Sequence, residues 1–311
     1  MTQRMKPYTG GSFALELDQK NSAVGWLTSI DGGHFKTTSV DSQVGRDGYV
    51  TRYAGKPSYD DVTIGCGAAM SGAFWQWVQA SLNRKPERRN GALVAYDFNQ
   101  RERSRRTFKR ALISEIGFPA LDAASKSAAA LSIKFSPEQI TYEEGSGDAM
   151  LSQANNDEMR KSKHWLACNF NFALEKFKGD VALRNCKVEA FTIKQNIIVN
   201  NVGAELEPRK EPGRLELPQV VVTFPESMAK DWFAWFDKAN RLGNRSDQYT
   251  TGQIQYLAPD NRSELMRVEL DGVSLISIEV DKLEAQREGI ANVKCTLNVE
   301  TMTLVRGPGL V

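Results

Sequence analysis

The stretch Met70-Ser-Gly-Ala-Phe74-Trp75-Gln-Trp77-Val78 returns, 158 residues further on, as Met228-Ala-Lys-Asp-Trp232-Phe233-Ala-Trp235-Phe236. In each version four apolar residues stand at i, i+4, i+7 and i+8: Met70, Phe74, Trp77 and Val78, then Met228, Trp232, Trp235 and Phe236. That spacing is one face of an α-helix, and these residues are expected to be core. One further aromatic, Trp75 or Phe233, stands off that face. A β-rich run precedes each helix, Asp61-Val-Thr-Ile64 in the first and Gln219-Val-Val-Val222 in the second. A repeat of this length fixes the unit of folding before any local signal is weighed.

The match extends outward from the helices. Downstream, Gly91-Ala-Leu-Val-Ala-Tyr96 corresponds to Gly252-Gln-Ile-Gln-Tyr256. The run Phe108 to Ile116 is aligned with Val268 to Ile276. Leu131, Ile133 and Phe135 alternate with polar or small residues, as do Val293, Cys295 and Leu297. Glu138-Gln-Ile-Thr-Tyr142 corresponds to Glu300-Thr-Met-Thr-Leu304, and each copy closes on a glycine, Gly145 or Gly307. Upstream, Ser12-Phe-Ala-Leu-Glu-Leu17 pairs more weakly with Asn169-Phe-Asn-Phe-Ala-Leu174. The order is kept throughout. The expected organisation is therefore a first domain over 8–145, a polar linker over 146–162 and a second domain over 163–307.

Period-2 alternation around a single amphipathic helix per copy predicts a mainly β (α+β) chain. Two antiparallel β-barrel or sandwich domains, each flanked by one helix, fit best. A doubly wound parallel sheet needs alternating helices, which are absent from the pattern. The length of 311 residues suits two domains. Lys plus Arg number 40 against 38 Asp plus Glu, a balance unlike that of a protein devoted to phosphate backbones. No apolar run approaches the ~20 residues of a membrane span. The opening residues lack the apolar segment of a signal peptide. Cys66, Cys168, Cys186 and Cys295 form no CxxC pair and are expected to be buried free thiols.

Chemistry has little to hold on to. Only two histidines are present. GxSxG, HExxH, Walker A and GxGxxG patterns are missing, so no enzyme, cofactor or metal is expected. The run Arg101-Glu-Arg-Ser-Arg-Arg-Thr-Phe-Lys-Arg110 has six basic residues and an aromatic, the ingredients of a nucleic-acid-gripping strand. The second copy has Asn261-Arg-Ser-Glu-Leu-Met-Arg267 at that place, which favours a solvated hairpin or a contact with an acidic partner.

Each copy carries a long polar insertion before its helix, residues 39–56 and 200–214. Insertions of that length in a compact domain are usually functional or disordered. Arg46, Tyr49, Arg52 and Tyr53 in the first, and Glu207, Arg209 and Lys210 in the second, are candidate assembly residues. The off-face aromatics Trp75 and Phe233 join them, since aromatics are enriched at interface cores.

With these residues in order, the first copy resembles the tail tube proteins of contractile-tailed phages and bacterial contractile injection systems. The matching pieces are Phe13-Ala-Leu-Glu-Leu17, Val24-Gly-Trp-Leu-Thr-Ser-Ile-Asp-Gly32, Ala54-Gly-Lys-Pro-Ser-Tyr-Asp-Asp-Val-Thr-Ile64 and the helix. Gly117-Phe-Pro-Ala-Leu-Asp-Ala-Ala-Ser125 and Glu138-Gln-Ile-Thr-Tyr-Glu-Glu-Gly145 complete the set. The second copy lacks the Phe-Pro-Ala-Leu-Asp run and has Ile278-Glu-Val-Asp-Lys-Leu there.

The resemblance implies a structural protein made in the bacterial cytoplasm and found in a virion tail or an extracellular or cytoplasmic injection particle. It implies six-membered rings that stack into a tube. The partners would be other copies of itself, the sheath, and baseplate or hub and spike proteins, with DNA or protein cargo only as lumen content. A tandem chain then points to three copies per ring, with six chains in two layers as the other geometry. An adaptor or initiator ring between a six-fold tube and a three-fold spike is the alternative role, and a nucleic-acid-binding barrel a more distant one.

Overall fold

The computed structural model describes residues 10–19, 23–43, 50–148, 165–177, 186–201, 203, 206–243, 248–281 and 290–307. In the first half, six strands close on themselves. They are β1 (Ser12–Leu17), β2 (Ala23–Gly32), β5 (Val62–Cys66), β6 (Arg89–Tyr96), β7 (Glu102–Phe118) and β9 (Leu131–Ser136). Their order is β7-β6-β1-β2-β5-β9, and β9 pairs back onto β7. Closure removes the open edges that would otherwise template aggregation. Outside this barrel, β3 (Phe35–Gln43) and β4 (Val50–Tyr59) form a two-stranded hairpin, and β10 (Gln139–Glu144) lies on the first part of β7. A short β8 (Leu121–Asp122) follows β7.

The second half repeats much of this plan. It contains β11 (Phe170–Leu174), β12 (Lys187–Val188), β13 (Phe191–Asn200), β14 (Arg209–Glu216), β15 (Val220–Pro225), β16 (Thr250–Leu257), β17 (Glu264–Val280), β18 (Asn292–Asn298) and β19 (Thr301–Arg306). The order is β11-β16-β17-β18-β15-β12, with β19 on β17. The architecture is thus mainly β, two barrel-like sheets with few helices. The expected helices are α1 (Gly72–Leu82) and α2 (Lys230–Phe236), the latter running into a π-helical turn over Asp237–Arg241. Met70, Phe74, Trp77, Val78, Trp232 and Trp235 are buried, and Met228 and Phe236 pack partly buried against the same core.

Strand register corrects one alignment. Phe108 faces both Gly91 and Ile140, and the residue facing Gly252 and Met302 is Leu270. Likewise Ile116 faces Ile133 as Ile278 faces Cys295. The equivalents of Phe108 and Ile116 are therefore Leu270 and Ile278, two residues beyond Val268 and Ile276. A slip of two leaves every side chain on its original face, so alternation alone cannot detect it. The bulge in each long strand fixes the frame: Arg110 (φ 50) and Gly272 (φ 63) both adopt the left-handed conformation there. At Gly272 an added Cβ would also strike Glu300.

Much of the described part of each insertion is strand: residues 39–43 and 50–56 lie in β3 and β4, and residues 209–214 in β14. Each hairpin has its irregularity at a matching point, between Thr37 and Ser39 and between Gln195 and Ile197. The pairs Val40–Tyr53 and Asp41–Arg52 recur as Ile198–Glu211 and Val199–Lys210.

Candidate assembly interface

The second hairpin leaves its own half and extends the first. Phe191, Thr192, Ile193 and Lys194 of β13 pair with Phe118, Gly117, Ile116 and Glu115 at the end of β7. The sequence dictates this locally. Phe191 and Ile193 fall on one face of the strand, and both are buried. The Phe191 ring stacks on Phe118 at 4.8 Å and 18°, an offset-stack distance worth ~1 kcal/mol beyond its area. Beside it, β8 pairs with β12, and Lys187 bridges Asp122 at 2.9 Å. That lysine holds the Asp122 carboxyl below its ordinary range, helped by the Ala124 amide.

A polar latch secures the hairpin. Lys210 on β14 is buried, and its Nζ lies 2.8 Å from Ser136 Oγ and 3.9 Å from Asp61. Its backbone amide donates to Glu138 Oε1 at 2.9 Å, and Arg88 donates to its carbonyl at 2.8 Å. Glu138 is itself buried, between Arg88 at 3.6 Å and Arg110. Burial pulls the Lys210 ammonium below its usual pKa, and the charges of Asp61 and Glu138 oppose that shift. Next to the latch, Gln139 donates to Glu207 at 3.1 Å. Burial raises the Tyr59 phenol, with the Glu207 charge as a lesser cause. On the other flank α1 packs on β19, where Gln79 donates to the Leu304 carbonyl at 3.1 Å.

The expected interface residues divide accordingly. Glu207 and Lys210 belong to this joint inside the chain. Arg209 is exposed at the outer end of β14, opposite Asn200. Arg52 is exposed and 3.4 Å from Asp41, and Tyr53 is exposed opposite Val40. Arg46 and Tyr49 lie outside the described residues. Phe233 is exposed. Trp75 is not: it is buried in the core, with Phe74 edge-on at 5.4 Å. The expectation of a surface role for Trp75 is corrected, because off the main helix face it still meets packed protein. Residues missing from the expected set are Phe118, Ile116, Phe191, Ile193 and Glu138. Their signal was present, as apolar alternation at 116–118 and 191–193, but it reads the same as a core signal.

Four of the six basic residues of the 101–110 run are held within the chain. Arg105 is buried and bridges Glu16 at 2.6 Å and Glu102 at 3.0 Å. Arg103 bridges Asp97 at 2.6 Å, Arg106 donates to the Gly32 carbonyl at 3.2 Å, and Arg110 bridges Glu138. Guanidinium groups held by carboxylates are poorly placed to take phosphates. Of the cysteines, Cys66, Cys186 and Cys295 are buried free thiols pushed up to about 12 by burial, while Cys168 is half-buried. Among the described residues no group of three or more His, Cys, Asp or Glu is placed to hold a metal. No described helix is long and apolar enough to cross a membrane.

Residues 11–141 match the family described as T4-like virus tail tube protein gp19. No curated protein matches the chain. Among solved structures, one similar chain comes from the anti-feeding prophage cap, described as a tube terminating cap. It is 16% identical with a TM-score of 0.40, over 46% of this chain and 95% of that one. Another is from the sheath-tube complex of an extracellular contractile injection system, PVC, in its extended state. It is 13% identical with a TM-score of 0.39, over 45% of this chain and 94% of that one. A third, Hcp1 from Flavobacterium johnsoniae, is 6% identical with a TM-score of 0.26, over 44% of this chain and 95% of that one.

Proposed function

We propose, from the match of residues 11–141 to the tail tube protein family, that the whole chain is a tandem tube subunit. Its two domains, 8–145 and 163–307, are read as successive members of one ring. The role is structural. The chain builds rings of the inner tube of a phage tail or contractile injection particle, in company with sheath and baseplate proteins. The observation that carries this reading is the joint between the halves. The β13–β14 hairpin of one half completes the sheet of the other, which is the head-to-tail arrangement a ring needs. If each such joint turns the chain by one sixth of a circle, three chains supply six domains and close a pseudo-hexamer.

End-on electron microscopy of the purified protein and of the native particle tests this. Three-fold rings of six similar lobes are expected. A six-fold ring of twelve lobes would replace the stoichiometry. Dispersed monomers at high concentration, with no ring in the native particle, would overturn the assembly role.

A further inference from the structure

The internal joint is made once, and the equivalents of its two complementary halves recur among the described residues without such a strand partner. Among the described residues the first hairpin, β3–β4, pairs with no barrel strand. By register, Lys36, Phe35, His34 and Gly33 stand where Lys194, Ile193, Thr192 and Phe191 stand in the second half. At the other end of the chain, Ser277 to Val280 stand where Glu115 to Phe118 stand. They pair with β18 on one edge, and among the described residues no strand lies on the other.

Exposure follows the same division. Ile193 is 1% exposed in the made joint, and its equivalent Phe35 is 54% exposed. Phe118 is 2% exposed, and its equivalent Val280 is 44% exposed. On the helix flank, Trp75 and Leu304 are buried, while their equivalents Phe233 and Tyr142 are exposed. The latch is also duplicated. Arg52 holds the register position of Lys210, and Glu300 that of Glu138. The amide of Glu138 donates to the Lys109 carbonyl at 3.1 Å, and the amide of Glu300 donates to the Asp271 carbonyl at 3.1 Å. Glu138 is buried among cations, whereas Glu300 is exposed on an open cleft of about 880 Å³.

We propose that a second copy of this chain fills these positions: the β3–β4 hairpin of one copy adds to the free edge of Ser277–Val280 of the next, and its Arg52 pairs with Glu300. The same approach brings Phe233 of that next copy onto Tyr142. Backbone pairing supplies adhesion that tolerates side-chain change, while the ion pair fixes register. The joint is heterologous, first half to second half, so each chain offers one free donor end and one free acceptor end. This deepens the ring reading and rests on it.

Paired cysteines test the register. Lys36→Cys with Ser277→Cys is the equivalent of Glu115→Cys with Lys194→Cys. Directly opposed strand residues have Cα separations that a disulfide can span. The control pair is expected to close within one chain. The test pair is expected to link chains covalently on oxidation, with neither single cysteine doing so. Charge reversal gives a second readout. Arg52→Glu and Glu300→Arg are each expected to raise the concentration for half-assembly about tenfold or more, and the double variant to restore it. Rings that persist while the control pair closes and the test pair does not would overturn this joint and leave the ring reading standing. A wild-type chain that never assembles would overturn both.

Discussion

Arg105 shows how a single residue converts an apparent ligand-binding cue into a structural one. Its guanidinium is buried against Glu16 and Glu102. Removing one member of such a group leaves uncompensated buried charge, typically costing 3–5 kcal/mol. Arg105→Ala is therefore expected to lower stability by about 3–5 kcal/mol, and Arg105→Lys to recover only part of it, since an ammonium lacks the two-pronged fork. Equilibrium denaturation checks both.

Lys210 makes a pH prediction. Its pKa is depressed by burial, so between that value and its ordinary one the unfolded chain binds the proton and the folded chain does not. Stability then rises with pH through that window. Wild type is expected to gain on Lys210→Met as pH is raised from neutral toward about 10, in parallel denaturation series. The thiols give a third test. Cys168 is expected to react with a maleimide in the native protein, while Cys66, Cys186 and Cys295 stay unlabelled because burial raises their pKa and blocks access.

At the scale of the element, the long strands β7 and β17 act as two strands joined by a bulge. Before Arg110 or Gly272 each pairs with β6 and β10, or β16 and β19. Beyond it, each turns to β9 or β18. Beyond the bend, Glu115 to Gly117 carry β9 on one edge, and Glu115 to Phe118 carry β13 on the other. Proline cannot donate to a ladder and is poorly tolerated in a central strand. Ile193→Pro is thus expected to release the β13–β14 hairpin while sparing the first barrel. Hydrogen exchange would then accelerate at the end of β7 and in β13, with β1 and β6 unchanged. Equal acceleration everywhere would mean the joint is inseparable from the core.

For the whole molecule, the contacts that hold the two halves include the β13–β7 ladder, the β8–β12 pair with its Lys187–Asp122 bridge, the Lys210 latch and the α1–β19 contact, in addition to the connecting chain. A protease site introduced into the connecting residues 149–162 should therefore cut the chain without separating its halves. Co-elution in gel filtration after cleavage is expected for the wild-type joint, and a weaker association that is lost on dilution for Ile193→Pro. Separation of the wild-type halves would place the union in the linker alone. Apolar side chains equivalent to those buried at the internal joint remain exposed at Phe35, Tyr142, Phe233 and Val280.

The duplicated helix motif, the core face of each helix and the mainly β character were all legible in the sequence. Each depends on a period of 3.6 or 2 that is written locally along the chain. Lys210 and Glu207 were named from the sequence as candidate assembly residues, and the structure places both against the first half of the same chain. Tertiary structure decided which partner. It placed the second hairpin on the first barrel, buried Trp75, paired Arg103, Arg105 and Arg110 with carboxylates and moved the alignment of β17 by two residues. These outcomes depend on hydrogen bonds between strands far apart in sequence. Such bonds use the same backbone groups at every residue, and a two-residue slip preserves every inward side chain, so neither leaves a mark in the pattern of residues.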